Sequence, residues 1–297
     1  MKILLFTLIL VPMMSFGQTA EDYFNKAYNN ESDWQYQIDN YTNAIKIDHD
    51  YATAYYNRGS AYANLENYKG AIADFSSAIK IDPDVADAYY NRGRAYAELE
   101  NYEDAIADFS NAIKIDSDYA DAYSNRGLAY YKLENYKDAI ADYSSYIKIN
   151  PDDVAAYWRR GLAYDNLENY KDAIADFSST IRINPDVADA YWSRGLAYYN
   201  LENYKDAIAD FSSVIKIDPD FADAYFNRGN AYGNLGNYKD AIADYTSVIK
   251  IDPDYASAYR NRGATRNFTG LPYCSDYKRA CDLGAEKACE WYYKQCK

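Results

Sequence analysis

A single histidine, His49, occurs in 297 residues, so no second imidazole is available to it. A hydrolytic triad cannot be assembled around His49, and a zinc site there would lack its usual ligand mixture. No basic tract is present, and acidic residues outnumber basic ones by 14 and are spread along the chain. That distribution argues against nucleic acid as a partner, because phosphate binding rests on clustered Lys and Arg. No phosphate-cradling glycine loop occurs. Asp82, Asp84 and Asp87 superficially suggest a calcium loop, but the glycine and distal glutamate of a dedicated loop are missing. These absences leave no residue to which a catalytic role can be assigned, and they imply no cofactor and no metal.

Long apolar runs are equally scarce. The one candidate, Ile3 to Met14, falls short of the ~20 residues needed to cross hydrocarbon and contains Thr7 and Pro12. Following Met1-Lys2 and preceding Ser15-Phe16-Gly17-Gln18, it reads as a secretory signal cut after Gly17. Its rival reading is a membrane anchor. Cleavage leaves no integral membrane span and takes the formal charge from −14 to −15. Cysteine is missing until the last 24 residues, where Cys274, Cys281, Cys289 and Cys296 form an even set, as in oxidised, exported chains.

Against these absences stand 37 tyrosines and a fixed period. Arg-Gly pairs begin at Arg58, Arg92, Arg126, Arg160, Arg194, Arg228 and Arg262, every 34 residues. Such a period marks a solenoid, whose units are too small to bury an apolar face alone and must stack. Within residues 52–85, Tyr55, Tyr62 and Leu65 fall at helical spacing. Ala71, Ile72, Phe75, Ala78 and Ile79 do so as well, predicting two amphipathic helices joined at Glu66-Asn67. Asn67 is the expected N-cap of the second helix. Its equivalents Asn101, Asn135, Asn169, Asn203 and Asn237 each have an Asp three residues on, a capping-box-like arrangement. Pro83 stops the second helix, and Asp84 is expected to cap the next unit.

The series Tyr55, Gly59, Tyr62, Ala71, Phe75, Ala78, Pro83 resembles the tetratricopeptide repeat, and it recurs without gaps through residue 255. The resemblance implies an all-α, right-handed superhelical α-solenoid of stacked helix-turn-helix repeats. The domain reading is a signal at 1–17, a degenerate N-terminal repeat at 18–51, six repeats at 52–255, and a degenerate seventh repeat with a capping helix at 256–297. Two departures from the family pattern carry expectations. Its small residue after the phenylalanine becomes Tyr146, Thr180, Val214 and Val248, which implies less uniform packing around Tyr146. Arginine replaces an apolar residue before glycine, and its head is expected to pair with the Asp before the phenylalanine, as Arg126 with Asp142.

In this family the inner face of each first helix lines a concave groove. The resemblance places Tyr56, Tyr90, Ser124, Trp158, Trp192 and Phe226 in one row there. Asn57, Asn91, Asn125, Arg159, Ser193 and Asn227 stand beside it. Rings with amides suit an extended protein or peptide partner; the plainer alternative is that some of these rings pack on adjacent helices. Tyr55, Tyr62, Tyr68 and their equivalents are read as structural. The lysines of a carboxylate clamp are missing, and Asp87, Asp121, Asp189 and Asp223 are accounted for by helix N-termini.

Cys281 and Cys289 flank a turn near Ala285 symmetrically, as do Cys274 and Cys296, so bridges 281–289 and 274–296 are predicted among three possible pairings. The segment 280–289 also resembles the bridged helices of secreted Sel1-like repeats. The functional expectation is a non-enzymatic scaffold or adaptor of the bacterial cell envelope, periplasmic or secreted. The alternative is an envelope glycan-binding module that uses the aromatics.

Overall fold

The computed structural model describes residues 17–30 and 32–297. The expected leader lies outside these residues apart from Gly17. Every regular element among the described residues is an α-helix. The chain divides into two compact units, one ending at Asn125 and one beginning at Arg126.

The first unit holds α1 (Ala20–Tyr28), α2 (Trp34–Ile47), α3 (Ala52–Asn64), α4 (Tyr68–Ile81), α5 (Ala86–Glu98) and α6 (Tyr102–Ile115), and α7 (Ala120–Lys132) carries the division. The second holds α8 (Tyr136–Ile149), α9 (Val154–Asn166), α10 (Tyr170–Ile183), α11 (Ala188–Asn200), α12 (Tyr204–Ile217), α13 (Ala222–Asn234), α14 (Tyr238–Ile251), α15 (Ala256–Phe268), α16 (Cys274–Asp282) and α17 (Glu286–Gln295). Within each unit the helices pair and stack as helix-turn-helix repeats, the class expected from the period.

The second helix of a repeat buries one stripe, Ala71, Asp74, Phe75 and Ala78 in α4, at the spacing of a single helical face. Alanines keep the neighbouring helices close, and one ring per repeat fills the space. Arg-Gly follows from that ring: a Cβ on Gly195 would stand 2.8 Å from Phe211 Cε1, and one on Gly161 2.7 Å from Phe177 Cε1.

The turn between paired helices is a Schellman closure. Glu66 takes the left-handed conformation at φ 59°, its N–H donates to the Ala63 carbonyl, and the Asn67 N–H donates to the Tyr62 carbonyl, both at 2.9 Å. Glu100, Glu134, Glu168 and Glu202 repeat it, and Gly236 does so at φ 79°. A non-glycine residue here costs about 1 kcal/mol, so the glutamate turns carry a strain that the turns closed by Gly236, Gly270 and Gly284 avoid.

Two capping expectations need correction. Asp84 does not cap the next helix: α5 begins at Ala86, two residues beyond, and no side chain caps it. Asp82 instead accepts from the Asp84 N–H at 3.2 Å and shapes the turn around Pro83. Asp153, standing where other repeats have Val85 or Phe221, does cap its first helix, accepting from the Ala156 N–H at 3.0 Å, and Thr19 caps α1 through the Asp22 N–H at 3.1 Å. Asn67 does cap α4, through the Gly70 N–H at 3.1 Å. Asn135, Asn169 and Asn203 hold N-cap positions, but their amides donate to Asp138, Asp172 and Asp206, so the reciprocal box is replaced by a side-chain pair.

The predicted arginine pairing is present in all seven Arg-Gly motifs. Arg126 donates through Nε and Nη2 to both oxygens of Asp142, at 2.8 and 2.7 Å. Within each unit Nη1 reaches the preceding second helix, from Arg92 to Ser76 Oγ at 2.9 Å and from Arg194 to Ser178 Oγ at 2.9 Å. Tyrosines close over the guanidinium, with Tyr55 and Tyr62 rings centred 5.6 and 6.0 Å from Arg58 Cζ. Packing around Tyr146 does depart from the other repeats. Its ring moves out to donate to Asp153 at 2.8 Å, and Ile147 is buried instead.

Cys274 bonds Cys296 and Cys281 bonds Cys289, the nested pairs predicted for a helical hairpin. Arg262 still finds Asp276 at 2.7 Å although the separation has shortened from 16 to 14 residues.

Replacing Asp210 with Ala strands the half-buried Arg194 and should cost about 3 kcal/mol, whereas Arg194→Met with Asp210→Leu should cost less, both read from urea unfolding of the full chain. Loss of the 22-residue bridge should destabilise the C-terminal hairpin by about 3.4 kcal/mol and loss of the 8-residue bridge by about 2.5 kcal/mol, from loop entropy. Hydrogen exchange of Cys274→Ala/Cys296→Ala and Cys281→Ala/Cys289→Ala variants gives the order.

Candidate functional site

The first helices present the row of rings and amides differently in the two units. In the first unit Tyr56 and Tyr90 are half-buried, their rings lying 5.7 Å from Phe75 and 5.8 Å from Phe109. Asn91 donates to the Tyr56 hydroxyl at 2.9 Å, and Asn125 donates to that of Tyr90 at 3.1 Å. Burial pushes both phenols up. Asn125 also bonds the Asp121 carbonyl, and Asn57 is half-buried on α3. The amides expected to meet a ligand thus form a ladder between repeats.

Tyr119, absent from the sequence reading, belongs to the same surface. Its ring lies 4.9 Å from Tyr90, and its hydroxyl donates to Asp87 Oδ1 at 2.7 Å. Residue 119 stands 29 positions after residue 90, and that offset brings the residue before each first helix onto the ring of the preceding repeat. Between α3 and α5 a cavity of about 160 Å³ is lined by Ser60, Ala63, Asn64, Asn91 and Arg94.

In the second unit the offset of 29 recurs. Trp192 is held 5.5 Å from Phe211 and 5.0 Å from Phe221, and Phe226 lies 5.9 Å from Tyr245 and 5.1 Å from Tyr255. Tyr255 donates to Asp223 at 2.7 Å, and Asn227 donates to the Asp223 carbonyl at 2.9 Å. Trp158 and Arg159 are half-buried on α9. A cavity of about 330 Å³ opens where Asn230, Gly233 and Asn234 of α13 face Ala264 and Thr265 of α15.

Among the described residues three enclosed polar atoms have no hydrogen-bond partner: Tyr143 Oη, Trp158 Nε1 and Asp165 Oδ1. The comparison with Tyr245 explains the first. Tyr245 donates to Asn230 Oδ1 at 2.9 Å, whereas Leu128 occupies the equivalent position in the repeat of Tyr143. Burial pushes both phenols up, and it pushes the Asp165 carboxyl up.

Profiles of the tetratricopeptide repeat match residues 52–85, 120–153, 222–255 and 75–107, and a TPR repeat profile matches 93–134, 166–202 and 199–236. Together they span residues 52–153 and 166–255, more than half of the chain. The chain belongs to the tetratricopeptide-repeat family.

Solved tetratricopeptide structures agree with that assignment. YrrB, described as a TPR protein with an unusual peptide-binding site, is 26% identical at a TM-score of 0.57, over 63% of this chain and 96% of its own. MamA is 27% identical at 0.55, over 58% and 94%. The C-terminal part of a TPR repeat-containing protein from Cytophaga hutchinsonii, 17% identical, shows the fold alone, at 0.67 over 82% and 97%. No curated protein matches the chain significantly.

Among these tetratricopeptide repeats the same substitution should act with opposite sign in two places. Tyr143→Phe removes an unpaired hydroxyl and should raise stability by about 1 kcal/mol, while Tyr245→Phe removes a made hydrogen bond to Asn230, leaving only the one from Asn261, and should lower it by about 1 kcal/mol. Urea unfolding midpoints of the two variants check this.

Proposed function

We propose that the chain is an exported, non-catalytic scaffold or adaptor of the bacterial cell envelope that holds an extended protein or peptide partner against the inner faces of its first helices. The leader at 1–17, the degenerate repeats at 18–51 and 256–297 and the six repeats between them are part of this reading. The observation that carries it is the row of half-buried rings, Tyr56 and Tyr90 in one unit and Trp158, Trp192 and Phe226 in the other, set beside Asn57, Asn91, Asn125, Arg159 and Asn227. Ordered rings present apolar area at low entropic cost, and the amide ladder fixes their orientation before any partner arrives.

Further support comes from the family, whose members commonly bind proteins or peptides, and from YrrB, whose structure is described by its peptide-binding site. Two disulfides fit an oxidising compartment, and no helix among the described residues is long and apolar enough to cross a membrane. The glycan alternative needs flat, open indole faces. Trp192 is instead held between Phe211 and Phe221, which counts against that reading.

Joint replacement of Trp158 and Trp192 by Ala should abolish pull-down of protein partners from the native envelope, with glycan-array signal unaffected. Loss of glycan binding with retained protein capture would reverse the assignment.

A further inference from the structure

One position on the first helices changes character from repeat to repeat: Ala63, Ala97, Tyr131, Asp165, Tyr199 and Gly233. Where it is tyrosine, the ring covers the tyrosine that begins the second helix. Tyr131 lies 5.3 Å from Tyr136 at 68°, and Tyr199 lies 5.3 Å from Tyr204 at 70°. The hydroxyl then accepts from the next repeat, Asn166 to Tyr131 at 2.9 Å and Asn234 to Tyr199 at 3.0 Å.

Asp165 breaks this pattern within the second unit. A carboxylate is far smaller than a phenol, and no ring lies over Tyr170 as Tyr131 and Tyr199 lie over Tyr136 and Tyr204, although all three tyrosines are half-buried. One oxygen of Asp165 is enclosed without a partner, yet the residue as a whole is half-buried and can be reached. No hydrogen bond or salt bridge engages it, and Asn166 is occupied by Tyr131 and by the Leu162 carbonyl. Beyond burial itself, Glu168 and Asp165 push the Tyr170 phenol up, and Tyr136 and Asp165 push up that of Tyr131, so the Asp165 charge acts on both hydroxyls. Trp158 stands seven residues earlier on α9, two turns along the same helical face.

A half-buried carboxylate without a counter-ion is costly, and the charge that would match it is a cation. A carboxylate beside an uncovered tyrosine face suits an ammonium or guanidinium, which gains from the charge and from the ring together. A metal ion would find one carboxylate and no second ligand. The formal charge of −14 adds long-range attraction for a basic partner.

We propose that Asp165 and Tyr170 form a receptor for one Lys or Arg side chain of the polypeptide partner, the basic group taking the place that a tyrosine ring fills in the flanking repeats. This rests on the peptide-binding reading above and adds to it the chemistry of one partner residue. Trp158 packs against the segment two helical turns away and sets the register in which the basic residue reaches Asp165.

The test is selection of a random dodecapeptide display library on the full chain, with affinities of selected peptides measured on the wild type, Asp165→Asn, Tyr170→Leu and Trp158→Ala/Trp192→Ala. The selected peptides should share a Lys or Arg at one register position. Replacing that residue by norleucine, or Asp165 by Asn, should each weaken binding about tenfold, and Tyr170→Leu about threefold. The norleucine peptides need no protein variant, so a folding defect cannot mimic the effect. Peptides lost on the double tryptophan variant but indifferent to Asp165→Asn and to norleucine overturn the receptor and leave the peptide-binding reading standing. Peptides indifferent to the tryptophans overturn both, and enrichment of no peptide counts against both.

Discussion

An arginine held by both oxygens of a buried aspartate recurs in each of the seven repeats from α3 onward and dictates most of what surrounds it. Asp210 is almost fully enclosed and Arg194 largely so, a situation tolerated only when each donor and acceptor is matched. The match comes from three directions: the carboxylate of the same repeat, a serine or threonine hydroxyl of the preceding one, and tyrosine faces on the same helix. An ion pair of this kind constrains geometry more than it adds stability. Its forked donors accept one spacing and one orientation, so the stack is held in register by charge as well as by alanine packing.

Several otherwise separate features follow from it. Glycine after the arginine lets the ring of the second helix approach, and the aspartate immediately before that ring turns back toward the guanidinium. Many of the tyrosines flank the same cation. The degenerate C-terminal repeat keeps the pair even where two residues are missing, with Arg266 joining Arg262 on Asp276. Two disulfides brace the same C-terminal hairpin, tying α16 to the segment of α17.

The clamp repeats with little change, and apart from the Ala78 position of the second helices the variation between repeats gathers on the first helices. The ring row runs from tyrosine to tryptophan to phenylalanine, and the row near the turn from alanine to tyrosine to aspartate. A repeat fold leaves function to such variable positions, because stacking has already been secured elsewhere. Two of the orphaned polar atoms, on Trp158 and Asp165, fall in these rows, and the third is on Tyr143 of the second helix α8. Each marks a repeat that departs from its neighbours, as Leu128 does in standing where Asn230 satisfies Tyr245.

Much of this was legible in residue order alone. The 34-residue period, the paired helices, the pairing of Arg126 with Asp142 and the nested cysteines all follow from helical spacing and turn chemistry, which act within one unit. The Glu66 turn was legible as a joint but not as a left-handed residue, because glutamate carries no signal for that conformation. Asp84 misled, since Val85 stands between it and the helix it was expected to cap. What tertiary structure alone decided is which inner groups are engaged and which are left over. Asn91 on Tyr56, Tyr119 beside Tyr90, and Asp165 with no partner depend on side chains about 30 residues away in a neighbouring repeat. Local sequence is blind to that neighbour because the contact exists only once the repeats have stacked.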